Sequence, residues 1–311
     1  MSVMQPDQIA SALQLAMLLE VSGYPKPGNV HRTRDFKNTR FEHFLASASA
    51  LHPIWRMGAQ RGLNPFIGDR RLVFGDLILK ACREMMKWQR GGNTSLGIIL
   101  LLTPISLAAG LSSRLGRLTV TALRENLSKI LGLGTYHDTL YIYKAIREVS
   151  PGGLGETAEL DVTDEGSLEK IVERKLDPIK VFRMSASRDS ISREWVTDFS
   201  LTFTTGYPTF IKEFEEYGDV NVAVVNTFLK ILAVNPDTLI ARKTGFKVAL
   251  KVSRTAERIL REGGVGTPKG FRMTMRLDDM LRSRGNLLNP GATADLTCSS
   301  IGVAVLTGFK P

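Results

Sequence analysis

The sequence predicts an all-α protein, a single multi-helix domain over residues 1–311. Three observations predict it. Apolar residues recur at helical spacing along most of the chain, strict apolar–polar alternation is scarce, and nothing alternates strand with helix as a parallel sheet requires. In the first element, "DQIASALQLAMLLEVSG", Ile9, Leu13, Ala16, Met17 and Val21 form a one-sided stripe that Gly23 ends. Similar patterns predict helices at about 41–61, 74–89, 95–112, 118–132, 136–149, 188–204, 221–234, 244–262 and 292–308. "IKVFRM", 179–184, fits a short strand or a helix equally. No repeat or low-complexity tract is evident.

Two stretches define the organisation. The run "LGIILLLTPISLAAG", 96–110, is short of the roughly 20 residues of a membrane span, and Pro104 interrupts it, so a buried core helix is expected. The least helical stretch, "SPGGLGETAELDVTDEGSLE" at 150–169, combines Pro and Gly with six acidic residues. Such a loop is either a lid within one domain or a linker between two helical halves.

Composition narrows the partners. Lys and Arg number 41 and Asp and Glu 31, a formal charge of +10 that favours an anionic partner. Cys82 and Cys298 make no disulfide framework and read as reduced core residues. The N-terminus has no basic-then-apolar leader, so a cytoplasmic protein is expected. No basic stripe interleaved with aromatics appears, which disfavours nucleic acid as the partner.

Four loops join a turn signal to a helix end. In "SGYPKPGNVHR", 22–32, the prolines push Tyr24 and Lys26 towards extended geometry and present Lys26 on a stiff support. Asn29, His31, Arg32 and Arg34 follow. The loop is either a helix stop with a solvated basic turn or a preorganised grip for an anion. In "RGGNTSLGIILLL", 90–102, Asn93 and Thr94 suit N-cap positions, and the free N–H groups of such a helix start either cap a core helix or hold phosphate. The loop is no Walker loop, because no Gly-Lys-Ser/Thr closes it.

The third loop is "VNPDTLIARKTG", 234–245. Asn235 suits an N-cap, Pro236 the first helical position and Asp237 the first turn, with Thr238 beside it and Arg242 and Lys243 one turn on. The fourth, "LLNPGATADLTCSSIGVAVL" at 287–306, turns at Asn289–Pro290–Gly291 and puts Asp295 at the start of an apolar helix. Each carboxylate is either a helix-start residue or a ligand. If the four loops meet, they form a pocket with cations for phosphates and carboxylates for Mg²⁺, which typically takes one or two carboxylates plus substrate phosphates. Weaker candidates are Arg188 and Asp189, read as an exposed ion-pair face, and Asp278 and Asp279, whose neighbouring helix positions point about 100° apart. His43, His52 and His137 lack ligand spacing.

"LLEVSGYPKPGNVHR", "GGNTSLG", "NPDTLIARK" and "NPGATADL", in this order over residues 18–296, resemble the triphosphoribosyl-dephospho-CoA synthase (CitG-like) family. The resemblance implies an all-α transferase that moves the triphosphoribosyl group of ATP to the ribose 2′-hydroxyl of dephospho-CoA and expels adenine. There are departures from the bacterial pattern. It has Asp where this chain has His31, a Gly-Ala-His-x-Asp-Met box that shrinks here to "RTRDF", and a double Asp where this chain has Pro236–Asp237. In these respects the chain looks more like an archaeal-type branch, and a different acceptor stays open as the alternative.

On that reading Asp237 or Asp295 takes the hydroxyl proton or ligates Mg²⁺. Lys26, Arg32, Arg242 and Lys243 hold the triphosphate, and Asn93 and Thr94 bind phosphate or ribose, with Asn29, Thr238 and Gly291 completing the site. Two polyanionic substrates fit the excess positive charge.

Overall fold

The structure is a computed structural model that describes residues 4–64, 72–116, 118–150, 160–162, 164 and 166–311. Among these, fifteen α-helices, one π-helical turn (Thr202–Gly206) and one 3₁₀ turn (Gly264–Gly266) follow in series, with no strand. The all-α expectation holds.

The two most apolar helices, α4 (Leu96–Arg114) and α15 (Gly291–Leu306), have no polar face and are buried on nearly all sides. A helix apolar all round must be enclosed by others. Helix α15 accordingly packs against α4, α1 (Pro6–Ser22) and α11 (Val220–Val234). Around α4 pack α2 (Phe41–Leu63) and α5 (Val120–Gly132), while α3 (Gly75–Trp88) joins α2 to α6 (Tyr136–Val149). A second apolar cluster joins α11 to α12 (Thr238–Thr244), α13 (Phe246–Arg261) and α14 (Pro268–Arg282) through Val225, Phe228, Ile240, Val252 and Leu281. In α13 the buried set Ala249, Val252, Ser253, Ala256 and Ile259 keeps helical spacing, which is why it was legible as amphipathic.

The structure corrects several local expectations. Helix α4 runs 19 residues, long and apolar enough by composition to cross a membrane, and continues through Pro104. Its apolar window is 89% buried within the protein, so the core reading of that run stands. "IKVFRM" lies in α8 (Pro178–Ser185), where Asp177 caps the helix by accepting from the Lys180 N–H at 2.9 Å. The continuous helix expected over 188–204 is broken. Helix α9 (Ser190–Val196) stops ahead of Asp198 and Phe199, both with positive φ, and the π turn then leads into α10 (Tyr207–Tyr217). Buried Glu194 accepts from the Leu201 and Thr202 N–H groups, both at 2.9 Å, and so starts the next segment.

The lid-or-linker expectation for 150–169 falls largely on 151–159, 163 and 165, outside the described residues. What is described differs from a loop at its end, because α7 (Gly166–Glu173) begins inside the range. Leu160 is buried, and its carbonyl accepts from the Tyr143 hydroxyl at 2.8 Å.

Helices α2 and α4 cross at backbone contact. A Cβ on Gly110 would sit 2.1 Å from the Ala59 carbonyl oxygen, and one on Gly62 would sit 1.9 Å from that of Leu107. Gly110→Ala must push the helices apart, so it is expected to destabilise by about 1–3 kcal/mol, as overpacking does. Urea denaturation checks this, and an unchanged midpoint would mean that the crossing is looser than described.

Candidate active site

Loop 22–32 is shaped by a carboxylate far away in the chain. Asp278 on α14 accepts from the Gly28 N–H at 2.8 Å, Arg282 Nε at 2.7 Å and Arg34 Nη1 at 2.9 Å, with His31 Nε2 3.5 Å away. Gly28 has φ 70°, and a Cβ there would meet Leu281 at 2.8 Å. Burial pushes the Asp278 carboxyl up, but His31, the Gly28 N–H and Arg282 outweigh it, and the net direction is down. Asp279 points out to Arg34 at 2.5 Å. The two carboxylates therefore share Arg34 Nη1 despite their divergent helix positions. Asp278 is the pin of the loop, a role that nothing local in the sequence marks.

Lys26 is not the phosphate-facing cation expected. It is 1% exposed, and its Nζ donates to the Glu20 carbonyl at 2.8 Å and to the Glu20 carboxylate. Burial lowers Lys26 and raises Glu20, each opposed by the charge of the other. A stiff loop does present Lys26, but inwards. Arg32 also lies away from the cavity described below. Its guanidinium donates to Asn221 at 3.2 Å and sits 5.8 Å from the Tyr24 ring centroid.

The expected Asn235 cap is displaced by two residues. Asn235 ends α11, and Asp237 is the N-cap of α12. One Asp237 oxygen accepts from the Leu239 and Ile240 N–H groups at 2.8 and 3.0 Å. The other accepts from the N–H and hydroxyl of Thr293 in the first turn of α15, both at 2.8 Å. Four donors fill the four lone-pair directions of a carboxylate. Asp237 is fully buried and does not line the cavity, so the structure leaves no oxygen of it for a proton or for Mg²⁺. Thr238 is likewise engaged inside, with its hydroxyl at 3.2 Å from the Ser190 N–H.

The four loops nevertheless meet. A cavity of about 430 Å³ is bordered by Asn29 from the first, Asn93 and Thr94 from the second, Arg242 and Lys243 from the third and Gly291 and Asp295 from the fourth. Asn93 accepts from the Leu96 N–H at 3.0 Å, capping α4, and the Thr94 hydroxyl is 2.8 Å from that of Ser47. The Asn29 side chain accepts from the Val30 N–H at 2.8 Å. Lys243 donates to the Asn286 carbonyl at 3.0 Å, and burial lowers its pKa. Two residues read as a surface face also line the cavity. Asp189 caps α9 and pairs with Arg242 at 2.5 Å, whereas the Arg188 side chain has no partner among the described residues. Part of the wall is apolar, with Ile142 and Ile146 of α6 and Val181 and Phe182 of α8. A larger depression near Arg124, Lys129 and Phe203 is more open to solvent and holds none of these residues.

Asp295 is the carboxylate left available. It sits in the second turn of α15, packed flat on Gly97, where a Cβ would lie 2.0 Å from its Oδ2. Burial and then the neighbouring charges of Glu20, Asp237 and Asp189 drive its pKa well above the ordinary range, against the Ile98 backbone hydrogen bond at the start of α4. Among the described residues it makes no ion pair, although the charge of Lys26 bears on it. Among the described residues no group of three His, Cys, Asp or Glu stands ready for a metal.

An all-helical protein with cations, one free carboxylate and an apolar stretch of wall around one cavity is built for a phosphorylated small molecule. The chain belongs to the CitG family, whose model, described as ATP:dephospho-CoA triphosphoribosyl transferase, matches residues 6–310. It is 27% identical over 300 residues to the 2-(5″-triphosphoribosyl)-3′-dephosphocoenzyme-A synthase of Escherichia fergusonii, covering 95% of this chain and 89% of that protein. A Salmonella gallinarum protein described as a probable synthase of the same name is 33% identical over 286 residues, with 90% and 85% covered. A crystal structure from Archaeoglobus fulgidus, described as a triphosphoribosyl-dephospho-CoA synthase, shares the fold with a TM-score of 0.65. It is 24% identical and covers 86% of this chain and 100% of that one.

Two substitutions separate structural from ligand-facing roles. Lys26→Met strands Glu20 in the interior and is expected to cost about 3–5 kcal/mol, with part restored by adding Glu20→Gln. Asp237→Ala removes the cap of two helices and is expected to cost about 1–4 kcal/mol, at 0.5–2 kcal/mol per cap. Denaturant unfolding reads both. Full stability with lost nucleotide affinity would return these residues to the ligand.

Proposed function

We propose that this chain transfers the 5-triphosphoribosyl group of ATP to the ribose 2′-hydroxyl of 3′-dephospho-CoA and releases adenine in the cavity at the start of α15. The observation that carries the reading is the convergence of four loops on one cavity, whose wall carries Arg188, Arg242 and Lys243 as well as the carboxylate of Asp295. The cations hold the triphosphate, Arg by its fork and Lys as a point charge. The apolar part of the wall takes the adenine or the pantetheine arm.

The C1′–N9 bond breaks with its electron pair leaving on adenine, which takes up a proton from water to depart neutral, and the acceptor oxygen bonds to C1′. Positive charge develops at C1′ as in glycoside cleavage. The raised Asp295 carboxylate faces that charge and takes the proton of the acceptor hydroxyl. Holding the hydroxyl near C1′ replaces a bimolecular encounter by a positioned one.

Mg²⁺ fits this donor set in its usual mode, with one or two carboxylates and the rest phosphate and water. Asp189, on the same cavity wall, would supply that carboxylate, which leaves Asp295 for the proton. When bound it supplies positive charge to the polyphosphate.

The test is mass-spectrometric detection of adenine from ATP and Mg²⁺, with and without dephospho-CoA. Adenine only with dephospho-CoA is expected. Adenine in both tubes indicates a different acceptor, and none in either refutes the transfer. Asp295→Asn is expected to lower kcat by about 10²–10⁴. Because the Asp295 pKa is raised and the ionised form is the base, the rate must fall as pH drops through a value above the ordinary Asp value of about 3.9. A pH–rate profile with no such acidic limb would remove Asp295 from that role.

A further inference from the structure

Asn289 lies on the cavity wall in the turn that leads into α15. Its side-chain oxygen is buried without a hydrogen-bond partner, and no partner reaches its amide nitrogen among the described residues. Folded proteins eliminate nearly all such groups, so one left on a cavity wall needs a reason. Holding the turn is not the reason. The Asn289 N–H donates to the Asn286 carbonyl at 3.3 Å, and its carbonyl accepts from the Gly291 N–H at 2.9 Å, so the backbone closes the turn without the side chain.

The surroundings indicate what the amide meets. The same Asn286 carbonyl accepts from Lys243 Nζ at 3.0 Å, so the Asn289 backbone and a cavity cation share one acceptor. Two residues after Asn289, α15 begins and carries Asp295 to the same cavity. A nucleotide with its phosphates on Lys243 and Arg242 and its C1′ facing Asp295 has its ribose between them. A ribose hydroxyl both donates and accepts, and the terminal torsion of an Asn is broad, so either end of the amide can be matched.

We propose that Asn289 is a specificity-determining residue that hydrogen-bonds a ribose hydroxyl of the bound nucleoside triphosphate. The inference rests on the transferase reading for the identity of that nucleotide as ATP. It gives the unpaired amide a partner that is present only in the complex. A site that holds a hydroxyl with a buried polar group rejects the analogue that lacks it.

The experiment compares ATP, 2′-deoxy-ATP and 3′-deoxy-ATP, each with dephospho-CoA and Mg²⁺, by adenine release and by equilibrium binding, in the wild type, Asn289→Ala and Asn289→Leu. The wild type is expected to disfavour one deoxy analogue by about tenfold or more in kcat/KM, roughly the loss of one hydrogen bond. Both variants are expected to lower the value for ATP by a similar factor and to treat ATP and that analogue alike. Asn289→Leu, close to Asn in size, is expected to keep or raise the Tm of the free protein, which a turn-holding Asn would not allow. A wild type indifferent to both hydroxyls, or variants that keep its preference, overturn the proposal. If the wild type binds ATP but releases no adenine, the transferase reading fails and the binding series alone decides on Asn289. No nucleotide binding at all overturns both.

Discussion

The Asp237 carboxylate joins two helix starts. One oxygen takes the first N–H groups of α12, and the other takes the Thr293 N–H and hydroxyl at the start of α15. Helix α12 carries Arg242 and Lys243, and α15 carries Asp295. A single buried group therefore fixes the cations of the cavity relative to its free carboxylate. Both helix dipoles point their positive ends at this anion, which offsets part of the cost of burying it.

The same logic runs around the cavity. Burying a charge is costly unless it is paired and hydrogen-bonded. Glu20 is held by Lys26, Asp278 by Arg282, Arg34 and the Gly28 N–H, and Glu194 by two N–H groups of the next segment. Each of these carboxylates is committed to architecture. Asp295 has only a backbone hydrogen bond at the start of α4 and several like charges nearby, so its carboxylate is more basic than an ordinary Asp. Its availability is the complement of the others' saturation. The +10 charge of the chain acts at longer range and draws anions towards the protein.

Much of this was legible beforehand. The four loops were marked by Asn-Pro turns, Gly-Gly and Pro-Lys-Pro, and all four border one cavity. The polar types at their tips were visible too, but the directions of the side chains were not. Lys26 and Asp237 looked like ligand groups because a cation on a stiff loop and a carboxylate at a helix start suit phosphate and metal, yet both face inward. Arg188 and Asp189 looked like a surface face because their own helix gives no hint of what packs opposite. Asn289 was read only as a turn residue, since an unpaired amide is a property of its surroundings.

By itself the sequence determined the longer helices, among them α1 to α6, α11, α13 and α15, since a repeat near 3.6 residues is a local property of side-chain order, whereas the break between α9 and α10 and the cap of α12 depend on contacts outside the turn. It also set the sign of the partner through the balance of charge. Only the tertiary structure decided which charges are structural and which are free. The donors that saturate Asp237 come partly from Thr293, and the N–H that helps to hold Asp278 comes from Gly28, at sequence separations of 56 and 250. Burial and partner count set the protonation and reach of a carboxylate, and both are fixed by residues remote in the chain.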